Sequence, residues 1–126
     1  MKTSIMTVLM ILFISSVSFA SEELQVLDIH DYELINNDLD PFFKAVIKGD
    51  LETVAKMIED GSDVNLRIGG KTPLMYAARY NRADVIRLLV GKGAVVGAKD
   101  NQGNTAMKLA ELANAKEAME VLKEMS

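Results

Sequence analysis

Between residues 40 and 126 the apolar positions fall in short clusters at helical spacing, separated by polar and glycine-bearing connections. Val54, Met57 and Ile58, then Val85, Ile86, Leu88, Leu89 and Val90, recur at the three- and four-residue intervals of helices buried on more than one side. Ala45, Ala77, Ala78 and Ala110 are small enough to let neighbouring helices approach closely. Asp40, Thr72 and either Asn104 or Thr105 are residue types that cap helix N-termini, and Pro41 and Pro73 suit a first helical turn, where a missing N–H costs nothing. Gly61 and Gly93 stand where the second helix of each pair must end in a left-handed residue. Helices of two to three turns do not persist alone in water, so they must stack.

The pattern is also an internal repeat. Asp40-Pro41-Phe42-Phe43-Lys44-Ala45-Val46 aligns with Thr72-Pro73-Leu74-Met75-Tyr76-Ala77-Ala78, an offset of 32 that continues through Val54 with Ile86, Met57 with Leu89 and Gly61 with Gly93. From Gly70 with Gly103 the offset becomes 33, through Thr72 with Thr105, Ala77 with Ala110, Asn81 with Asn114 and Leu89 with Leu122. The slip falls in the Leu66 to Gly69 connection. Three repeats follow, at about residues 40–70, 71–103 and 104–126, and Gly70 to Lys99 is the core of the most complete one.

The N-terminal segment has a different grammar. Met1 and Lys2 give a positive start, Ile5 to Val17 is an apolar run, and Ser18-Phe19-Ala20 has the small-x-small form of a cleavage site. Residues 1–20 are expected to be a secretory signal peptide cut after Ala20, the run being shorter than the ~20 residues that span a bilayer. Residues 21–39 mix Leu24, Val26, Leu27, Ile29, Leu34 and Ile35 with acids and asparagines, and are expected to be an N-terminal cap or a linker. The only histidine, His30, lies there between two acids and reads as a solvated polar residue.

Charge and cysteine content narrow the function. The formal charge is −4, and −5 once Lys2 is removed with the leader, which speaks against a nucleic-acid face. Without cysteine there is no disulfide, no thiol catalyst and no cysteine-ligated metal. Gly70-Lys71-Thr72 imitates the end of a phosphate-binding loop, but the required earlier glycine is Asn65. Gly91-Lys92-Gly93 begins like a dinucleotide fingerprint, but its third glycine, Gly97, falls one place late. Asp100-Asn101-Gln102-Gly103-Asn104 suggests a calcium loop until Gly103 is set sixth, which puts Ala98 and Leu109 at ligand positions. A turn accounts for it. No catalytic residue, cofactor or metal site is expected.

Thr72-Pro73-Leu74-Met75-Tyr76-Ala77 resembles the T-P-L-H-x-A signature of the ankyrin repeat, whose period is 33 residues. The family's Gly-Ala-Asp-Val-Asn stretch has a counterpart in Gly61-Ser62-Asp63-Val64-Asn65 and an eroded one in Gly93-Ala94-Val95-Val96-Gly97. Met75 and Lys108 replace the usual histidine, and the third copy lacks the proline and the second alanine. Its Lys108, Glu111, Lys116, Glu117, Glu120, Lys123 and Glu124 suit the exposed face of a terminal repeat.

The resemblance implies an all-α solenoid of about three stacked helix-turn-helix repeats with hairpin-like loops. It also implies a non-enzymatic module that binds another protein through loop tips and the exposed edge of the first helices. Carried over by position, the contact residues are Lys48, Arg67, Lys71, Arg79, Tyr80, Lys99, Asn101, Gln102 and Asn104, with Ile47 beside them. Several are basic, so an acidic partner surface is expected, engaged by a monomer that is periplasmic or secreted and free of the membrane after cleavage. Similar exported proteins support a stress-defence enzyme or neutralise a toxin; a structural or chaperone-like scaffold is the alternative.

Overall fold

The computed structural model describes residues 39–126. The expected leader, nearly all of the cap or linker segment and His30 lie outside the described residues. Among the described residues there are six helices and no strand: α1 Pro41–Lys48, α2 Leu51–Glu59, α3 Pro73–Arg79, α4 Ala83–Gly91, α5 Ala106–Leu112 and α6 Lys116–Met125. The first two pairs are offset by 32 residues at both helix starts and the next two by 33, the same register that the side-chain pattern carries.

Local chemistry sets each inner helix. Asp40 accepts the Phe42 N–H at 2.8 Å, and Thr72 and Thr105 accept from the N3 amides of Met75 and Lys108 at 3.4 and 3.2 Å. Thr105, not Asn104, is therefore the third cap. At α3 the exchange is reciprocal, because the Met75 sulfur accepts the Thr72 N–H at 3.5 Å. A buried thioether thus stands in for the polar side chain of a capping box. The inner helices end at Gly49, Asn81 and Asn114, all with positive φ.

Packing makes two layers. In the inner layer α3 lies between α1 and α5, and in the outer layer α4 lies between α2 and α6. The middle inner helix is buried from Pro73 to Ala78, with Ala77, Ala78 and Ala110 completely enclosed, as close helix approach demands. Val85, Ile86 and Leu89 fill the inner side of α4, and Ala118, Val121 and Leu122 that of α6. Burying a residue such as Leu89 contributes roughly 1.5–3 kcal/mol.

The first outer helix is sparer. Only Val54 of α2 is fully buried, while Met57 and Ile58 are half-buried. Leu88 and Val90 are also half-buried, so α4 buries one stripe fully and is less enclosed on its other sides than its continuous apolar run suggests. Of the methionines at helical spacing, Met75 alone among the described ones is enclosed. Tyr76 takes up the space beside it: its ring meets Phe43 edge-on at 5.3 Å between centroids, and its hydroxyl donates to the Ile68 carbonyl at 3.2 Å.

Candidate protein-interaction surface

Two fingers project from the connections between α2 and α3 and between α4 and α5. In the first, Ile68 and Lys71 exchange backbone hydrogen bonds of 3.0 and 3.1 Å, closing a two-residue tip at Gly69 and Gly70, with φ of 61° and 77°. Two consecutive positive φ values make the mirror-image turn that matches the twist of a hairpin, and only glycine adopts it freely. In the second, Asp100 N–H bonds the Asn104 carbonyl at 2.9 Å across a three-residue tip, and Gly103 takes φ of 80°. The extra residue therefore lies inside the tip, which narrows the slip to the Gly69 end of the Leu66 to Gly69 connection.

The second tip is shaped by a side chain. The Asp100 Oδ1 accepts the Gln102 and Asn104 N–H groups at 2.9 and 2.8 Å. Burial opposes ionisation of this carboxyl, but those backbone bonds, the nearby Lys71 ammonium and the Asn104 side chain prevail and hold its pKa below the ordinary value. Asp100 is buried, and its Oδ1 is the acceptor around which the turn closes.

Arg67 and Asn65 join one finger segment to the next. One terminal nitrogen of Arg67 donates to the carbonyls of Gly70 and Lys99 at 3.1 and 2.8 Å. Asn65 donates to the Gly93 carbonyl at 3.1 Å and accepts the Val95 N–H at 3.0 Å. Arg67, expected as a contact residue, is thus an exposed clasp whose guanidinium is partly used within the chain. Lys99, Asn101 and Gln102 are exposed on the fingers, while Lys71 and Asn104 are half-buried.

The remaining expected residues lie elsewhere. Lys48, Arg79 and Tyr80 stand at the C-terminal ends of α1 and α3, and the seven residues of α3 separate its two ends by roughly 10 Å at ~1.5 Å per residue. The fold therefore gives two groups, one on the fingers and one at the helix turns. Ile47 belongs to neither, because it is buried. Arg79 and Tyr80 are half-buried and Lys48 is exposed.

The helix-turn edge holds residues that sequence reasoning passed over. Asn81 Oδ1 accepts the Ala118 N–H in the first turn of α6 at 2.9 Å, and its Nδ2 donates to Glu117 at 2.6 Å. The Asn81 amide, the Glu117 N–H and the nearby Lys116, against a smaller effect of burial, keep the Glu117 carboxyl below its ordinary pKa. Arg82 donates its Nε to the Ile47 carbonyl at 2.7 Å. A cavity of about 290 Å³ opens there, lined by Lys48, Gly49, Asn81, Arg82, Ala83, Asp84, Val85 and Glu117. The available signal was the alignment of Asn81 with Gly49, which shows a side chain gained at one turn and absent at the other.

Among the described residues no three His, Cys, Asp or Glu side chains stand together so as to hold a metal ion, and no helix is long and apolar enough to cross a membrane. The model of a family described as ankyrin repeats (3 copies) matches residues 9–100 and 42–126. Dauer abnormal formation protein 25 of Caenorhabditis elegans is 38% identical over 80 residues, 62% of this chain and 21% of that protein. Myotrophin of Xenopus tropicalis is 39% identical over 54 residues, 42% of this chain and 46% of myotrophin. The E3 ubiquitin-protein ligase hecd-1 of C. elegans is 42% identical over 60 residues, 47% of this chain and 2% of the ligase. The chain thus spans less than half the length of each of these relatives.

Proposed function

The chain belongs to the ankyrin-repeat family, a family of protein-interaction modules, and on that premise we propose that it is an exported monomer that binds an acidic surface of a partner protein without catalysis. The observation that carries this is the clasp of Arg67 on the Gly70 and Lys99 carbonyls. It fixes one finger against the next, so that Lys99, Asn101 and Gln102 are presented on a pre-ordered edge at little entropic cost. Lys48, Arg79 and Tyr80 extend the contact surface to the helix turns, with Tyr80 as its aromatic member. The partner class favoured by the family resemblance is a stress-defence enzyme exported to the same compartment.

The test is capture of a partner by the tagged full chain expressed in a bacterial host, followed by association kinetics at several salt concentrations. Lys99→Glu combined with Gln102→Glu should slow association several-fold and flatten its salt dependence. Equal binding by wild type and the double variant at every salt concentration would remove the fingers from the interface. Export is checked on the same preparation: the periplasmic form should begin at Ser21 by mass spectrometry, and an intact N-terminus in the cytoplasm would overturn it.

A further inference from the structure

We propose that the cleft over Gly49 receives a carboxylate from the partner, with Arg82 as its anchor and Lys48 as its second cation. This rests on the interaction reading above and names the place where an acidic side chain, Asp or Glu, would seat.

Three observations converge on it. First, Arg82 is already oriented: its Nε is held by the Ile47 carbonyl at 2.7 Å, which leaves the two terminal nitrogens as a fork with no partner inside the described residues. A guanidinium fixed in this way offers two parallel N–H donors to a carboxylate without first being ordered. Second, the aligned turn one repeat later is filled, because Asn81 reaches across to Glu117 and Ala118, whereas Gly49 projects nothing. The resulting space is the cavity of about 290 Å³, room for one or two side chains. Third, the glycine is required for the arrangement. Its φ is 74°, and a Cβ there would meet Arg82 Cδ at 2.9 Å and Nε at 3.2 Å.

The two cations of the cleft, Lys48 and Arg82, stand on its Gly49 side. Among the described residues Lys48 makes no ion pair, although it lies near enough to Asp50 to act on that carboxylate. Two acids, Asp84 and Glu117, also line the cavity, and Glu117 is turned to the Asn81 amide, so a carboxylate is selected by the oriented Arg82 fork and not by an excess of positive charge. The finger basic residues offer less, since Arg67 is spent on backbone carbonyls and Lys71 lies beside Asp100. The cleft is therefore where the acidic anchor would be held, and the fingers, with exposed Lys99, make separate contacts at the other end of the inner helices.

The experiment uses the full chain and the dipeptide acetyl-Glu-Glu-amide as a probe, followed through the arginine Nε–H signals by NMR. Saturable shifts of the Arg82 signal at probe concentrations at least tenfold below those that move Arg87 are expected. Arg82→Gln and Lys48→Gln should weaken the response of the Gly49 and Val85 amides by about tenfold and several-fold, and Lys92→Gln, at the far end of α4, should leave it unchanged. Equal response of Arg82 and Arg87, or unchanged affinity in Lys48→Gln and Arg82→Lys with melting preserved, would overturn the proposal. Against a captured partner the two readings separate. Loss on Lys99→Glu without loss on Lys48→Gln or Arg82→Lys keeps the finger interface and rejects the cleft, whereas capture of no partner rejects the interaction reading and the cleft with it.

Discussion

The two fingers solve one geometric problem by different means. Each must reverse the chain and deliver it to an inner helix, at Thr72 in the first case and Thr105 in the second. The first does so with backbone alone, through Gly69 and Gly70 at positive φ. The second adds a residue and lets the Asp100 carboxylate hold the Gln102 and Asn104 amides. A turn built on glycine alone is indifferent to pH; a turn held by a carboxylate responds to pH, although Gly103 at φ of 80° makes the second tip depend on a glycine as well.

Substituting both tip glycines is the largest predicted perturbation. Gly69→Ala with Gly70→Ala places two side chains in the left-handed region, at about 1–2 kcal/mol each, and the new Cβ at Gly70 collides with the Asn101 carboxamide. Denaturant unfolding should show a loss of about 2–4 kcal/mol, and a wild-type midpoint would mean that the first finger does not depend on its glycines. Next is Asp100→Ala, which strands two amides at a part-buried turn and should cost about 1–3 kcal/mol. Hydrogen exchange should quicken at Gln102 and Asn104 while the Ile68 and Lys71 amides keep their wild-type rates; equal acceleration in both fingers would erase the distinction.

Arg67→Ala removes the link between the fingers instead of either turn. An exposed charge-assisted clasp of this kind contributes about 0.5–1.5 kcal/mol, so melting should drop slightly while NMR order parameters fall at Gly70 and Lys99. Unchanged order at both would show that each finger is rigid without the other.

The smallest effect is that of pH. Because the folded-state pKa of Asp100 is lowered, its contribution is present above the ordinary carboxylate value and disappears as pH falls through the folded value. Asp50, held low by the Thr53 hydroxyl and N–H, and Glu117 titrate in the same sense, so a global melt cannot isolate one of them. Amide exchange below about pH 4 can, since ordinary aspartates titrate near that value: protection should fade at Gln102 and Asn104 and persist at Ile68 and Lys71 after correction for the intrinsic pH dependence of exchange.

These differences mark what the sequence made legible. Caps, prolines and glycines act within three or four residues, so Thr72, Pro73, Gly61 and Gly93 could be placed from local chemistry, and the repeat offset placed the helices. The bonds that tie repeats together span much longer intervals: Asn65 to Val95, Arg67 to Lys99, Arg82 to Ile47 and Asn81 to Ala118. Their partners are fixed by stacking distance and by which side chain a turn happens to project, and neither is written in the pattern of apolar positions. Hence Arg67 reads as a free contact residue in sequence and is a clasp in the fold, and Ile47 reads as exposed and is buried. Arg82, between two helices with no capping role for its side chain, carried no local signal at all.

Asn81 also bears on how such an array can lengthen. Its carboxamide engages the second and third residues of the next outer helix, Glu117 and Ala118, and the aligned pair within its own repeat is Asp84 and Val85, again an acid and an apolar residue at the second and third helical positions. A tandem duplication of the middle repeat would set each Asn81 opposite an Asp84-Val85 pair in the following copy. The joint would be regenerated at every added unit without a compensating mutation, so the middle repeat is the segment from which this chain can grow.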